Sequence, residues 1–295
     1  MTGPALAAAA GLGFGVFQTL NRRAIGGMSD AYLATFVQLA TALGVLIVAT
    51  IATEDLGLLG DATAVSLVCF AAAGLIHFAV GWTFLNMSQM RIGAARTSPL
   101  LATTPVFGAV IAILVLSEVP AAVVWVGVAL VTAGALVVSL ERVAEEGWGI
   151  SWRDALPGLA TALAWATSPL LIKEGLDGLP SPLLGLTLGM IVALLAYAVA
   201  LPLRPRVDGP VFGSRLSLAF KLLAGLMVGL SVWARWAALD YASIAVVLAL
   251  GLLSVPVVLL LSPILMGRHV ERVTVQIWLG AALVVVGGLV LVLLS

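Results

Sequence analysis

Ten stretches of this sequence are each long and apolar enough to cross a lipid bilayer, and this narrows the available folds more than any other feature. A spanning helix needs about 20 mainly apolar residues to cross a hydrocarbon core of roughly 30 Å. The stretches fall at residues 5–24, 31–52, 62–85, 94–116, 121–140, 154–173, 181–202, 216–237, 243–266 and 274–294. In lipid the backbone must satisfy its own hydrogen bonds, so such segments are helices. Charges collect between them, as at Arg22, Arg23 and Asp30, at Glu54, Asp55 and Asp61, and at Glu141 to Asp154. The connections are short and leave no room for a water-soluble domain. The expected fold is an all-α integral membrane protein of ten transmembrane helices.

Composition agrees, with 62% hydrophobic and only 9% charged residues, where a soluble domain carries roughly 25% charged. Lys+Arg 14 balance Asp+Glu 14, so nothing electrostatic favours nucleic acid. Cys69 is the single cysteine and sits in an apolar run. No Lys or Arg precedes Arg22, whereas a secretory signal opens on a basic segment. The first stretch is therefore expected to be a spanning helix.

The sequence also repeats itself. At an offset of 151, Arg22 meets Lys173, Ala73-Gly74 meets Ala224-Gly225, Trp82 meets Trp233 and Pro105-Val106 meets Pro256-Val257. Beyond a two-residue insertion near Arg268 the offset is 153, with Glu118 on Glu271, Trp125 on Trp278 and Gly127 on Gly280. Two units are expected, residues 1–146 and 147–295, of five helices each. Because five crossings is an odd number, the second unit enters from the opposite side. Such inverted-topology repeats are a recurring plan of secondary transporters, with a midplane site at the repeat interface.

The end of each unit resembles the EamA unit of the drug/metabolite transporter superfamily. The first unit carries Ala94 to Phe107, then Leu116-Ser117-Glu118, Trp125-Val126-Gly127 and Thr132 to Leu136; Ser243 to Leu294 is a looser version. The resemblance implies a transporter, most often an exporter, of amino acids, other metabolites or drugs, and not an enzyme. The small multidrug-resistance relatives carry a glutamate in their first helix that exchanges protons for cationic drugs. Residues 5–24 contain no acid. Glu118 and Glu271 occupy positions of short interhelical turns and are read as caps or ion-pair partners.

Several residues are candidates for a site. Pro105 and Pro256 are placed near the middle of the fourth and ninth helices, where each removes a backbone hydrogen bond; Thr103, Thr104 and Ser254 stand ready to satisfy the freed carbonyls. The prolines are read as paired hinges beside a cavity, or as plain kinks. His77, deep in the third helix, has Val228 as its counterpart, so the shared scaffold does not require it. A buried ionisable group in a membrane normally faces a cavity or a polar partner, which fits substrate recognition or interhelical packing. Gln18 and Trp165 are substrate contacts or core; Thr19, Gln38, Thr41, Thr167 and Ser168 read as interhelical glue. The other seven tryptophans, Trp82, Trp125, Trp148, Trp152, Trp233, Trp236 and Trp278, read as an interfacial belt. Gly11-Leu12-Gly13-Phe14-Gly15 follows no strand, so close helix packing explains it better than a nucleotide loop. His77 and His269 are the only histidines, and they make no metal cluster.

Taken together, the expectation is an alternating-access carrier of a small polar or amphipathic metabolite in the inner membrane. A cavity lined by helices 1, 3, 4, 6, 8 and 9 would hold the substrate. No cofactor is called for; the expected partners are the substrate and membrane lipids, and a homodimer is left open. The alternative is a lipid flippase on the same fold, which a lateral opening wide enough for an acyl chain would favour. Lys and Arg number 12 in connections after odd-numbered helices and 2 after even-numbered ones. The positive-inside rule then puts both termini outside the cytoplasm, although the family resemblance implies the reverse. No Asp or Glu lies deep in any stretch, so any proton coupling would run through His77.

Overall fold

The structure, a computed structural model, describes residues 2–25, 28, 30–116, 120–146, 151–203, 212–266 and 274–294. All ten expected spans are present: α1 (Thr2–Ile25), α2 (Ala31–Thr53), α3 (Ala64–Ile92), α4 (Arg96–Val115), α5 (Ala122–Glu141), α6 (Trp152–Gly178), α7 (Pro182–Leu203), α8 (Arg215–Tyr241), α9 (Ile244–Leu265) and α10 (Val275–Leu294). No strand occurs among the described residues.

Starts are set by local chemistry. Asp30 accepts from the backbone N–H groups of Tyr32 and Leu33 ahead of α2, at 3.0 and 3.1 Å. Ser214 accepts from Ser217 N–H ahead of α8 at 3.1 Å, and Ser151 does the same for α6. These caps satisfy amides that have no partner inside the helix. Several helices outrun their apolar stretch: α6 continues through Lys173, Glu174 and Asp177, and α8 through Asp240. Polar side chains do not interrupt helical bonding once the helix leaves the hydrocarbon, so hydropathy marks only its middle. Between α3 and α4 the chain doubles back within helical bonding that runs from Thr83 to Leu101. The Ser88 and Thr97 hydroxyls bond at 2.8 Å, whereas nine residues of straight helix would separate them by about 13 Å.

The helices pack α1 on α8, α5 on α10, α3 on α6 and α7, and α2 against both α7 and α8. Small residues let backbones meet at these crossings. An added Cβ at Gly74 would stand 2.1 Å from the Gly189 carbonyl oxygen, and one at Gly134 would stand 2.5 Å from that of Gly280. Gly11 and Gly15 likewise press α1 onto α9, against the carbonyls of Leu250 and Ser254. The glycine-rich run of α1 is a packing surface.

Two helices have a break in their regular α-helical bonding, and the breaks fall at equivalent positions. At Ala102-Thr103 the bonding of α4 tightens: Ala102 N–H still reaches the Ser98 carbonyl at 3.0 Å, Thr103 N–H takes that of Leu100 at 3.3 Å, and regular α-helix resumes at Thr104. In α9 a short 3-10 segment, Gly251–Leu253, precedes the renewed helix at Ser254. Residues 103 and 254 are 151 apart, the offset of the sequence repeat. Pro105 and Pro256 lie near the middle of α4 and α9, and each falls in the first turn after the tightened stretch. An amide there lacks a helical partner anyway, so proline is tolerated. Thr103 donates its hydroxyl to the Leu100 carbonyl at 2.6 Å, which also accepts from the Thr103 N–H.

Two expectations are corrected. Trp82 and Trp236 are fully buried and belong to the core; Trp125, Trp152, Trp233 and Trp278 are exposed as a belt requires, and Trp148 lies outside the described residues. Counting from helix ends misjudged the first two because those ends pack inside the bundle. Lys221, six residues into α8, is fully buried in the bundle. Arg235, assigned to a connection, also lies inside α8 and faces a cavity. Glu118 and Glu271 lie outside the described residues.

Candidate functional site

A cavity opens where α1, α4, α6, α8 and α9 meet, beside both helix breaks. Its wall takes Phe14 and Gln18 from α1, Leu101 and Thr104 from α4, Trp165 from α6, Ser231 and Arg235 from α8, and Val247, Leu248, Gly251, Leu252 and Ser254 from α9. The space is about 50 Å³, enough for a few waters and too small for a metabolite in this conformation. The third helix, expected to line it, supplies no lining residue.

The floor is aromatic. Trp165 is buried and meets the Phe14 ring edge-on, with centroids 5.4 Å apart and planes at 84°. From Phe14 the contacts continue through Phe17 and Trp82 to Phe78, Trp236 and Phe70. Rigid rings give this part of the bundle a fixed shape, each pair worth about 0.5–1.5 kcal/mol beyond its burial.

His77 stands one layer behind Trp165. Its ring stacks on the indole at 5.8 Å, its Nδ1 pairs with the Ser168 hydroxyl at 2.7 Å, and its carbonyl accepts from Trp165 Nε1 at 3.3 Å. It sits in a π-helical segment of α3, Leu75–Trp82, a geometry often found at functional sites. Nε2 is buried with no hydrogen-bond partner among the described residues. The histidine therefore orients Trp165 and reaches the cavity through it.

The remaining sequence candidates divide. Gln18, Trp165 and Ser254 line the cavity, whereas Thr103 does not, its neighbour Thr104 taking the place. Pro105 and Pro256 sit beside the breaks without lining it. Thr19 and Thr41 bond to carbonyls four residues back, at Gly15 and Val37, Thr167 does the same at Leu163, and Ser168 serves His77. Gln38 belongs to a second polar cluster: Lys221 Nζ donates to Asn21 Oδ1 at 2.5 Å and to Gln38 Oε1 at 2.9 Å. Asn21 in turn donates to Asn86, and Asn86 to Thr35, at 3.2 and 2.7 Å. This cluster joins the end of α1 and the start of α2 to the start of α8, on the membrane face away from the first residues of α1.

Sequence reading missed Arg235. Its signal was available, because Trp233 to Trp236 continues an unbroken apolar helix, but a charge six residues from the end looked like a boundary. A third feature is a lipid-facing groove of about 250 Å³ between α2, α3 and α7, lined by Tyr32, Val80, Thr83, Phe84 and Tyr197 among others. The Tyr197 hydroxyl bonds to Thr83 and to the Ala79 carbonyl there. Groove and cavity share no lining residue. Among the described residues no group of three or more His, Cys, Asp or Glu could hold a metal.

Residues 1–140 match the EamA-like transporter family. A crystal structure of another protein superposes on this chain with a TM-score of 0.69, covering 96% of this chain and 95% of that one at 17% identity. At that identity the likeness is one of fold. No curated protein matches the sequence.

Proposed function

From a chain whose residues 1–140 are an EamA-like transporter unit and whose ten helices span a membrane, we propose a secondary transporter that exports a small polar or amphipathic metabolite by alternating access. The observation that carries this reading is the cavity beside the breaks of α4 and α9. Discontinuous helices at the midplane are where secondary transporters bind substrate. The two five-helix units, 1–146 and 147–295, act as inverted halves, and the segments at Pro105 and Pro256 are the hinges between them. Parting the halves widens the cavity, which is too tight for a metabolite as it stands, and delivers it to each face in turn.

The test uses Ser231, a lining residue. In a Cys69→Ala background, Ser231→Cys should react with a membrane-impermeant maleimide added from either side of oriented vesicles. Labelling from one side only, under every condition, would sink alternating access. Transport direction is read separately, by comparing metabolites released from cells with and without overproduction.

The lateral groove favours a second reading, a flippase. A groove of that shape can seat a lipid tail, but its separation from the cavity leaves a headgroup no polar route along it. The carrier reading accounts for the buried polar lining and the flippase reading does not.

Orientation follows from charge. With Lys221 and Arg235 placed inside the bundle, the basic residues left are 12 − 1 = 11 after odd-numbered helices and 2 − 1 = 1 after even-numbered ones. That count supports termini outside the cytoplasm, for a protein of the inner membrane. A C-terminal reporter active only in the cytoplasm is expected to stay dark; a strong signal overturns the assignment.

A further inference from the structure

We propose that the cavity selects an organic monoanion, a carboxylate on a compact apolar body that carries no amino group, and that Arg235 is the residue that reads its charge. The inference rests on the cavity being the substrate site. Arg235 lines the cavity and is half-buried. No described residue forms a hydrogen bond or ion pair with its guanidinium, and no Asp or Glu is among the lining residues. A charged group this far inside a membrane bundle is costly and ordinarily marks a substrate path. Its five N–H donors form a planar fork that fits a carboxylate with two parallel hydrogen bonds.

Two further observations point the same way. Thr104 is 7% exposed and its hydroxyl has no hydrogen-bond partner among the described residues, although it lines the cavity. Ser254 brings a second hydroxyl to the same wall. The rest of the wall, Phe14, Leu101, Trp165, Val247 and Leu248, is apolar and suits a hydrocarbon or aromatic body. No carboxylate there compensates an ammonium. An amino acid would give up the hydration of its amino group without a counter-charge, so the site discriminates against zwitterions as well as cations.

The test is calorimetric titration of the purified full-length protein with 3-phenylpropionate, its uncharged amide 3-phenylpropionamide, and phenylalanine. The acid should bind about tenfold or more tightly than the amide, as expected for a charge-assisted pair, and more tightly than phenylalanine. Arg235→Gln should erase the advantage of the acid while leaving amide binding in place. Arg235→Lys should keep part of it, because an ammonium retains charge and loses the fork. Amide binding also shows that Arg235→Gln is folded. An amide or phenylalanine that binds as well as the acid overturns the proposal; so does an acid preference that survives Arg235→Gln, or an acid that shows no saturable binding. Failure of the cavity itself looks different. An added Cβ at Gly251 meets nothing within 4 Å, so Gly251→Phe projects into open space and should block every probe. Amide binding abolished by Gly251→Phe, without an acid preference, keeps the cavity as the site and removes only its charge selectivity. Binding untouched by Gly251→Phe removes both.

Discussion

Replacing Asn21 by leucine is expected to destabilise the protein by about 3–5 kcal/mol, the range for breaking a buried charge away from its partner. Lys221 is fully buried, and the two acceptors found for its ammonium are Asn21 and Gln38, at 2.5 and 2.9 Å. Asn21→Leu takes away the nearer one and severs the link through Asn86 to Thr35. The charge stays behind, held by one amide oxygen in a buried site. Lys221→Met should cost less, about 1–3 kcal/mol, because it removes the charge at similar length and leaves two neutral acceptors unpaired. The order of the two effects is the informative result. Unfolding of both variants in detergent measures it, and an Asn21→Leu protein more stable than Lys221→Met would show that Lys221 reaches water or is held by other groups.

The same residue shows why the fold was legible and its polar interior was not. Ten helices follow from hydrophobic length, which is additive along the chain and needs no knowledge of neighbours. Whether a polar side chain in a span is a boundary, a glue or a site depends on what faces it from another helix, and that is a tertiary fact. Lys221 occupies the position that Phe70 holds in the first unit, 151 residues earlier. Phe70 seals its end by packing its ring on Gly175 and Gly185, and Lys221 fills the corresponding place with an ammonium on amides. The asymmetry was visible in the sequence once the two units were aligned. Its meaning was not, because Asn21, Gln38 and Asn86 are spread over three helices and share no spacing.

The site divides along the same line. Gln18, Trp165 and Ser254 were found as polar or aromatic residues in apolar runs, a property each carries alone. Pro105 and Pro256 were found as a pair because the repeat aligned them, and both lie at mid-span; the tightened turn ahead of each was not legible, because it shows only in the hydrogen bonds of the folded helix. Arg235 escaped because its distance from the helix end is ordinary for a boundary charge. Only the packing of α8 against α1 turns it towards the cavity. His77 was noticed for its depth, and the structure gives it Trp165 as an intermediary.

The second large effect is expected at Gly74. In Gly74→Ala the new Cβ would lie 2.1 Å from the Gly189 oxygen, 2.4 Å from its carbonyl carbon and 2.5 Å from its Cα. All three atoms are backbone of α7, so no rotamer change relieves the contact and α3 and α7 have to move apart. Overpacking of this kind costs about 1–3 kcal/mol and occasionally more; with only backbone to give way, Gly74→Ala should reach or exceed the top of that range. Two glycines calibrate the effect. Gly225, its equivalent 151 residues on, would place its Cβ 2.6 Å from the Thr41 side chain and 3.0 Å from the Gln38 carbonyl oxygen. Part of that contact can yield, so Gly225→Ala should be milder. Gly44 meets nothing within 4 Å, and Gly44→Ala should be neutral or stabilising by about 0.5–1 kcal/mol, the gain of alanine over glycine in a helix. Thermal unfolding of the three variants in one detergent should rank them Gly74, Gly225, Gly44 from most to least damaging. The crossing at Gly74 also sets where α3 enters its π-helical segment, one residue later at Leu75, so a displaced α3 carries His77 and Trp165 with it. A Gly74→Ala protein as stable as Gly44→Ala would mean that α3 and α7 are held apart in the folded membrane protein.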